Sequence, residues 1–562
     1  MRAIPDAHQK VPMMFRAQVN GRCQIQRLVK GEEPDAVRWT DEWTSRVETV
    51  PSPASIEVQT RDCEIAWRLI TNSGLDDGVI RPVIGAQGLP YFPGSSMKGM
   101  FRRACTATQA DRYCGKPLPG NDWQPGILRF HGGYPIDPAW TEHLVDIVHP
   151  QQSWQVKSND KEGGAFVQIS LYKPTLRFGI SSTLPLDSSE WDVIWEIWQQ
   201  ALAKGIGSRV AAGYGQVRDS QPTVLHKSRV KGQGQAPKLI TQAGEFRPNM
   251  FRASLRGHAL RIFGGLTDAT TAERLVENLF GGIQGREGTI GLLGLKFVES
   301  KLSIDSFGSG SYAQPCYDVE GDLIWYLARS LNDPAHEPLL KKLVASLMQF
   351  AMVFGGFGKS WRRADHRKFF EEYYDDSYKA LIGCHWQWLD DPTLRRNVKV
   401  WRLAQVAGFV EQVQTNAQEW MRSQGVTPKP NHWAQNWREA LHPANVQVWG
   451  REAADVDSSE AIRWFHGAYR QAIPGVCAEG TIYKTDFVGK VSQVGKLWHR
   501  MYPVVELKKN PDDPKKPVIR RTPKYLEILT IFPDGSNAAN QFLDFLENKP
   551  FGFEQLWGEE TK

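Results

Sequence analysis

The chain has 562 residues, 41% hydrophobic and 23% charged, which is apolar matter enough for two or three domains. Its formal net charge of +6 is small for that length and by itself gives no argument for nucleic-acid binding. Seven cysteines with no CxxC pair exclude a zinc ribbon and a disulfide framework, and the absence of a long apolar run leaves neither signal peptide nor membrane span; a soluble, cytoplasmic protein with no membrane partner is expected.

In chain order, "IEVQTRDCEIAWRLI" (56–70) predicts a strand. The glycine-bearing loop "TNSGLDDGVIRPVIGAQG" follows and carries Asp76, Asp77 and Arg81. Asp-Asp-Gly is turn-forming on composition alone. "GLPYFPGSSMKGMFRRACT" (88–106) breaks at Pro93-Gly94 and then predicts a helix capped by Ser95 or Ser96. Lys98, Arg102 and Arg103 follow closely. Near the positive end of a helix dipole they are mildly unfavourable, unless an anion sits at the cap. A solvated basic face is the plainer reading. A protruding hairpin is expected at 151–168, with "SNDKEGG" as its tip. Asp187, with Glu190 three residues on, caps a helix whose Trp191, Ile194, Trp195, Trp198 and Leu202 form one core-facing stripe. The helix runs into "GIGSRVAAGYGQV", with four glycines in eleven residues around Arg209. That pattern predicts a backbone closely approaching something, or a tight turn before an edge strand.

A second round begins with the strand and Gly/Pro loop "VLHKSRVKGQGQAPKLITQAGEFRP". The helix "NMFRASLRGHALRIFGG" follows, with Phe251, Leu255 and Ile262 on its buried side and Arg252 and Arg256 four apart on another. Strands near 290–325 precede the helix "PLLKKLVASLMQFAMVF", which again ends in glycines and cations, "GGFGKSWRRADH", including Lys359 and Arg362. Strand, glycine loop, basic helix, strands, amphipathic helix and glycine loop thus occur twice, an internal duplication of architecture. The units expected are 1–220 and 221–562, the latter interrupted by a Trp- and Gln-rich helical insertion at about 365–480. A strand "YLEILTIFP" and a helix "AANQFLDFLEN" close the chain.

Three catalytic motifs fail on inspection. "FGGFGKSWRR" is not a P-loop, because Val353 stands where the first glycine is needed and a helix precedes it. "PGSSMKG" lacks the glycine two places after Ser96 that a nucleophile elbow requires. The histidines show no metal-ligand spacing, and His258 and His499 read as structural.

"PYFPGSSMKGMFRRA" resembles the PyIPGSSlKGxlR signature of RAMP proteins, the Cas7-like backbone subunits of type III CRISPR effector complexes. "GIGSRVAAGYGQV" is similar to their glycine-rich loop, and "FRPNMFRASLRGHALRIFGG" with "LFGGIQGREGTIGLLGLKF" resembles a divergent second copy. A fused pair points toward the type III-D group. The resemblance implies an α+β fold of two modified RRM/ferredoxin-like units, the first with a thumb hairpin. It implies crRNA and target RNA as ligands, and Cas10-, Cas5- and Cas7-like subunits as partners. Its RNA-binding positions correspond here to Arg81, Ser95, Ser96, Lys98, Arg102, Arg103, Arg209, Arg252, Arg256, Lys359 and Arg362. Helix N-termini and glycine loops suit such phosphate contacts. Active relatives carry an aspartate just before "VIR". Asp76 stands in that place with Asp77 beside it, to hold Mg²⁺ or to orient a ribose 2′-hydroxyl for target-RNA cleavage. The sequence departs at Pro82, where active relatives often have Asp. In the second unit's loop only Glu245 offers a carboxylate, and that unit is expected to bind without cutting. A scaffold without nuclease activity and a Cas6-like processing endonuclease are the alternatives.

Overall fold

A computed structural model describes residues 11–16, 21–47, 58–71, 74–76, 79–85, 88–120, 122–148, 155–157, 166–284, 287–308, 310, 313–358, 384–456, 458–465, 482, 485, 487–488, 495–508, 518–548 and 550–559. Helix and strand are mixed along the chain, an α+β arrangement. The N-terminal part is built on an antiparallel sheet in the order Gln59–Glu64, Thr175–Ser182, Leu128–Pro135. Two helices cover one face, Gly94–Ala104 and Ser188–Leu202. The second is capped as its sequence predicts, with Asp187 accepting from the Glu190 N–H at 2.8 Å. Its Ile194, Trp195, Trp198 and Leu202 are buried, and Trp198 packs on Phe178 with ring centroids 4.9 Å apart. Short helices at Met13–Arg16, Gly21–Val29 and Asp35–Thr44 close the core with Met14, Trp39 and Trp43.

A second, mixed sheet lies beside it, in the order Gly74–Asp76, Val79–Arg81, Phe166–Ile169, Val145–Val148. Val79–Arg81 and Phe166–Ile169 run parallel, and the other pairs are antiparallel.

The following sheet is antiparallel throughout, in the order Leu293–Phe307, Gln314–Leu327, Val224–Gln235, Cys384–Trp388. The helices Asn249–Gly264 and Glu337–Phe354 are buried against it along most of their length. The expected burial of Phe251, Leu255 and Ile262 is found. The region 365–480 departs from the helical insertion expected. It does contain helices at Asp391–Asn397 and Val406–Ser423. It also supplies Cys384–Trp388 to this sheet and Gln447–Ala453 to the next. Trp386 and Trp388, which composition read as helical text, alternate with His385 and Gln387 along a strand. β-branched and aromatic residues favour that pleated setting when a partner strand exists.

The last sheet runs in the order Leu497–Lys508, Val518–Ile531, Gln447–Ala453, Glu554–Trp557. Its residues alternate between two cores. Leu526, Ile528, Trp498 and Val448 face the large core, whereas Leu529, Ile531, Leu497 and Trp449 face a smaller one under the helix Asn537–Glu547. Burial on both faces explains why "YLEILTIFP" is nearly continuously apolar rather than alternating.

The N-terminal sheets and the rest of the chain are locked by buried polar contacts. Arg68, wholly buried, bonds Glu245 through Nε at 2.8 Å and Nη2 at 2.6 Å, and Trp67 Nε1 donates to the same carboxylate at 2.7 Å. Arg247 pairs with Asp146 at 2.6 Å. Burial pulls the Glu245 carboxyl up, but the Arg68 guanidinium outweighs it and holds it below the usual range. At Asp146 burial dominates, and the carboxyl is raised despite Arg247 and Arg68. Most of the hairpin expected at 151–168 lies outside the described residues. Gln155–Lys157, within it, do not protrude. Val156 is buried in the large core, the Glu439 N–H donates to its carbonyl at 3.0 Å, and Lys157 pairs with Glu273 at 2.5 Å.

Candidate nucleic-acid interface

The signature segment is organised by glycines that let a helix start directly on a sheet. Phe92 exchanges both backbone bonds with Gly133, N to O at 2.8 Å and 2.9 Å. A Cβ at Gly94 would fall on the Phe130 carbonyl oxygen, and one at Gly132, where φ is +85°, would fall on the Phe92 oxygen. No other residue fits either place. The helix then begins at Gly94, with extended Pro93 at the cap position and no side-chain cap bond. This corrects the capping role expected of Ser95 and Ser96, which instead lie exposed within the first turn. Proline at the cap leaves the first-turn N–H groups without a side-chain acceptor.

Met97 and Phe101 fill the core from this helix, so Lys98, Arg102 and Arg103 take its outer side. Arg102 and Arg103 occupy the last turn, where the dipole favours cations, so the expected unfavourable placement is also corrected. Only Lys98 is near the middle. Arg103 is exposed, and Lys98 and Arg102 are half-buried. Arg102 donates to the Gly115 carbonyl at 2.6 Å and stands 5.8 Å from the Trp123 ring centre. Trp123, which the sequence reading did not single out, is exposed beside it.

Asp76 ends the strand Gly74–Asp76 and pairs with Val79 of the strand Val79–Arg81. The Asp76 side chain and the whole of Asp77 lie outside the described residues. Arg81 is drawn inward by the N-terminal segment: its Nη1 donates to the Met14 carbonyl at 2.8 Å, and its guanidinium stands 5.1 Å from the Phe15 ring centre.

The glycine-rich loop closes on the protein itself. A Cβ at Gly207 would strike the Ile70 carbonyl, and one at Gly215 the Ile206 carbonyl; both glycines have positive φ. The close approach expected from four glycines is therefore to the chain's own backbone, as the tight-turn reading holds. The loop also meets the sheet that follows, where the Tyr326 hydroxyl lies 2.9 Å from Gln216 Nε2 and 3.3 Å from the Val210 carbonyl. Arg209, exposed and left-handed at φ 58°, stands out from it.

Arg252 and Arg256 share a helix face with half-buried side chains. Arg252 donates to the Phe280 carbonyl. Burial lowers its guanidinium to about 10, and Arg256 and Arg209 add repulsion. It stays charged at neutral pH. Arg252 thus lies within the electrostatic reach of both Arg256, on its own helix, and Arg209, from the glycine-rich loop. Lys359 and Arg362 lie outside the described residues.

Glu245 is a buried partner of Arg68 and is not presented to any ligand. His258 and His499 are both buried, as expected of structural histidines, and His499 Nε2 lies 3.0 Å from the Glu527 carboxylate. Among the described residues, no three His, Cys, Asp or Glu side chains gather as a metal site. No helix among the described residues is long and apolar enough to cross a membrane.

The RAMP superfamily family model matches residues 77–218, the stretch that holds the signature helix and the glycine-rich loop. No curated protein matches the chain. Among solved structures, a chain of a type III-B Cmr-beta complex bound to cognate target RNA is similar at 21% identity, with a TM-score of 0.22. That match covers 33% of this chain and 63% of the other, less than two thirds of its length. A chain of a type IV-B CRISPR complex is similar at 17% identity and a TM-score of 0.22, over 28% of this chain and 88% of that one.

Proposed function

We propose that this chain, which carries a RAMP-superfamily domain at residues 77–218, is an RNA-binding backbone subunit of a CRISPR effector ribonucleoprotein. The observation that carries the reading is the coincidence of that match with the helix Gly94–Ala104, whose core-facing Met97 and Phe101 turn Lys98, Arg102 and Arg103 outward. Cations on a rigid helix contact phosphates without reading sequence, as a subunit holding arbitrary guides requires. In this reading the chain is a fused pair of Cas7-like, RRM-related units within 1–220 and 221–562. They hold crRNA and its target together with Cas10-, Cas5- and Cas7-like subunits, in a type III-D-like assembly.

The first unit is the one proposed to cut. Asp76, at the end of its strand, would place a carboxylate beside a displaced ribose, where it orients the 2′-hydroxyl for attack on the adjacent phosphate. A bound Mg²⁺ would supply charge neutralisation at that phosphate. One observation favours a scaffold without nuclease activity instead. Asp76-Asp77-Gly78 is a turn-forming sequence on composition alone, which accounts for both aspartates without any chemistry. Incubating the assembled complex with matched target RNA, with Mg²⁺ and with chelator, separates the two readings. Cleavage lost in Asp76→Ala supports the nuclease; cleavage unchanged in the Asp76→Ala/Asp77→Ala double variant leaves a scaffold.

A further inference from the structure

We infer that Trp123 is a base-stacking residue for single-stranded RNA, an inference that rests on the RNA-binding reading above. The chain has 21 tryptophans. Every other one among the described residues is buried or half-buried, whereas Trp123 is 53% exposed. It sits on a two-stranded ribbon, Gly115–Pro117 paired with Trp123–Pro125, that joins no larger sheet among the described residues. Such a ribbon is marginal on its own, so something must hold it. Arg102 does so from the signature helix, through the Gly115 carbonyl. Gly115, at φ +96°, also makes the seat of the indole: a Cβ there would lie 2.9 Å from Trp123 Nε1.

The ring is therefore fixed rather than loose. The Arg102 guanidinium stands over it at 5.8 Å, and more than half of the side chain still faces solvent. An indole backed by a cation and open to solvent is the arrangement on which nucleobases stack, and it tolerates any base because each has a π-face. The surroundings select an anionic polymer. Lys98 and Arg102 both act electrostatically on Cys114, at the foot of the ribbon, and Lys116 lies on the ribbon itself. The one carboxylate in residues 115–125 is Asp122. A strand whose phosphates follow Lys98 and Arg103 can lay a base on Trp123.

The test uses the full-length chain and a fluorescein-labelled single-stranded oligouridylate carrying 5-iodouridine, titrated at several salt concentrations. Trp123→Ala should weaken binding by roughly 5- to 100-fold at every salt concentration, since stacking rather than charge is lost. Its slope of log affinity against log salt should match the wild type, and Trp123→Phe should keep most of the affinity. Irradiation of the wild-type complex should crosslink the RNA at Trp123. Wild-type affinity in Trp123→Ala, or a crosslink only elsewhere, overturns the stacking role while leaving RNA binding intact. A wild-type chain that does not bind the oligonucleotide at all overturns both.

Discussion

Replacing Lys98 and Arg103 together by Ala isolates the electrostatic part of the proposed interface. Arg103 is exposed and Lys98 half-buried, and neither contributes to the core that Met97 and Phe101 fill. The variant should therefore fold within about 0.5 kcal/mol of the wild type per site. Arg102 is deliberately left in place, because its bond to Gly115 holds the ribbon and its loss would confound the result. Each phosphate contact on a single strand contributes about 0.7 to the slope of log affinity against log salt, so losing two lowers that slope by about 1.4. Over a fourfold rise in salt, from ~50 to ~200 mM, the wild type should lose about sevenfold more affinity than the variant. Fluorescence anisotropy of the full-length chain with a labelled single-stranded RNA measures both slopes directly. An unchanged slope in a folded variant refutes the reasoning, because it places the helix's outer face in solvent and away from phosphate.

In the assembled complex, Asp76→Ala should slow one target-RNA cut by on the order of 100-fold or more, with crRNA retention unchanged and products ending in 2′,3′-cyclic phosphate. Asp77→Ala should do less. Glu245→Ala should cost about 3–5 kcal/mol in urea unfolding, because it strands the buried Arg68 guanidinium. Glu245→Gln, which keeps hydrogen-bond acceptance, should cost less. At Glu527 burial works to raise the carboxyl, but hydrogen bonding to His499 and the charge of Arg451 hold it down at about 2 from an ordinary 4.5. A depressed folded value means stability that is complete above pH ~4.5 and lost as pH falls toward ~2, on the order of 3 kcal/mol. Glu527→Gln should accordingly be less stable at pH 6 and show a shallower loss between pH 5 and pH 2.5. Parallel acid limbs for the two proteins would refute the assignment.

Local signals in the sequence are the ones that carried over to the structure. The Asp187 cap and the tryptophan stripe are set within one helix, by i, i+3, i+4 spacing and a side chain reaching its own N-terminus. The apolar face of Asn249–Gly264 is legible for the same reason. The expected serine cap failed on a tertiary fact: Gly94 lies against the Phe130 carbonyl, and the cap falls at Pro93, two residues before Ser95. The same limit hid the strand Cys384–Trp388, since only the partner Val224–Gln235 makes it a strand. Glycines at 205–215 were legible as a close approach, yet the thing approached, the Ile70 and Ile206 carbonyls, is set by the fold. The exposure of Trp123 had no sequence signal beyond its place in the turn-rich "GKPLPGNDWQP".

The buried contacts between the N-terminal sheets and the rest bear on the proposed RNA binding as well as on stability. Arg209 comes from the glycine-rich loop, whereas Arg252 and Arg256 come from a helix that follows Arg247, the partner of Asp146. Asn249, at the start of that helix, lies 3.4 Å from the Tyr214 hydroxyl in the loop. The glycine-rich loop and that helix therefore meet at the same joint that buries Arg68 on Glu245 and Val156 in the large core. In the proposed RNA-binding function, a phosphate meeting these arginines would lose less entropy than on a mobile loop, because the backbone that carries them is ordered in folding. Under that proposal, a phosphate backbone crossing the joint would bind as a continuous track rather than as two independent patches.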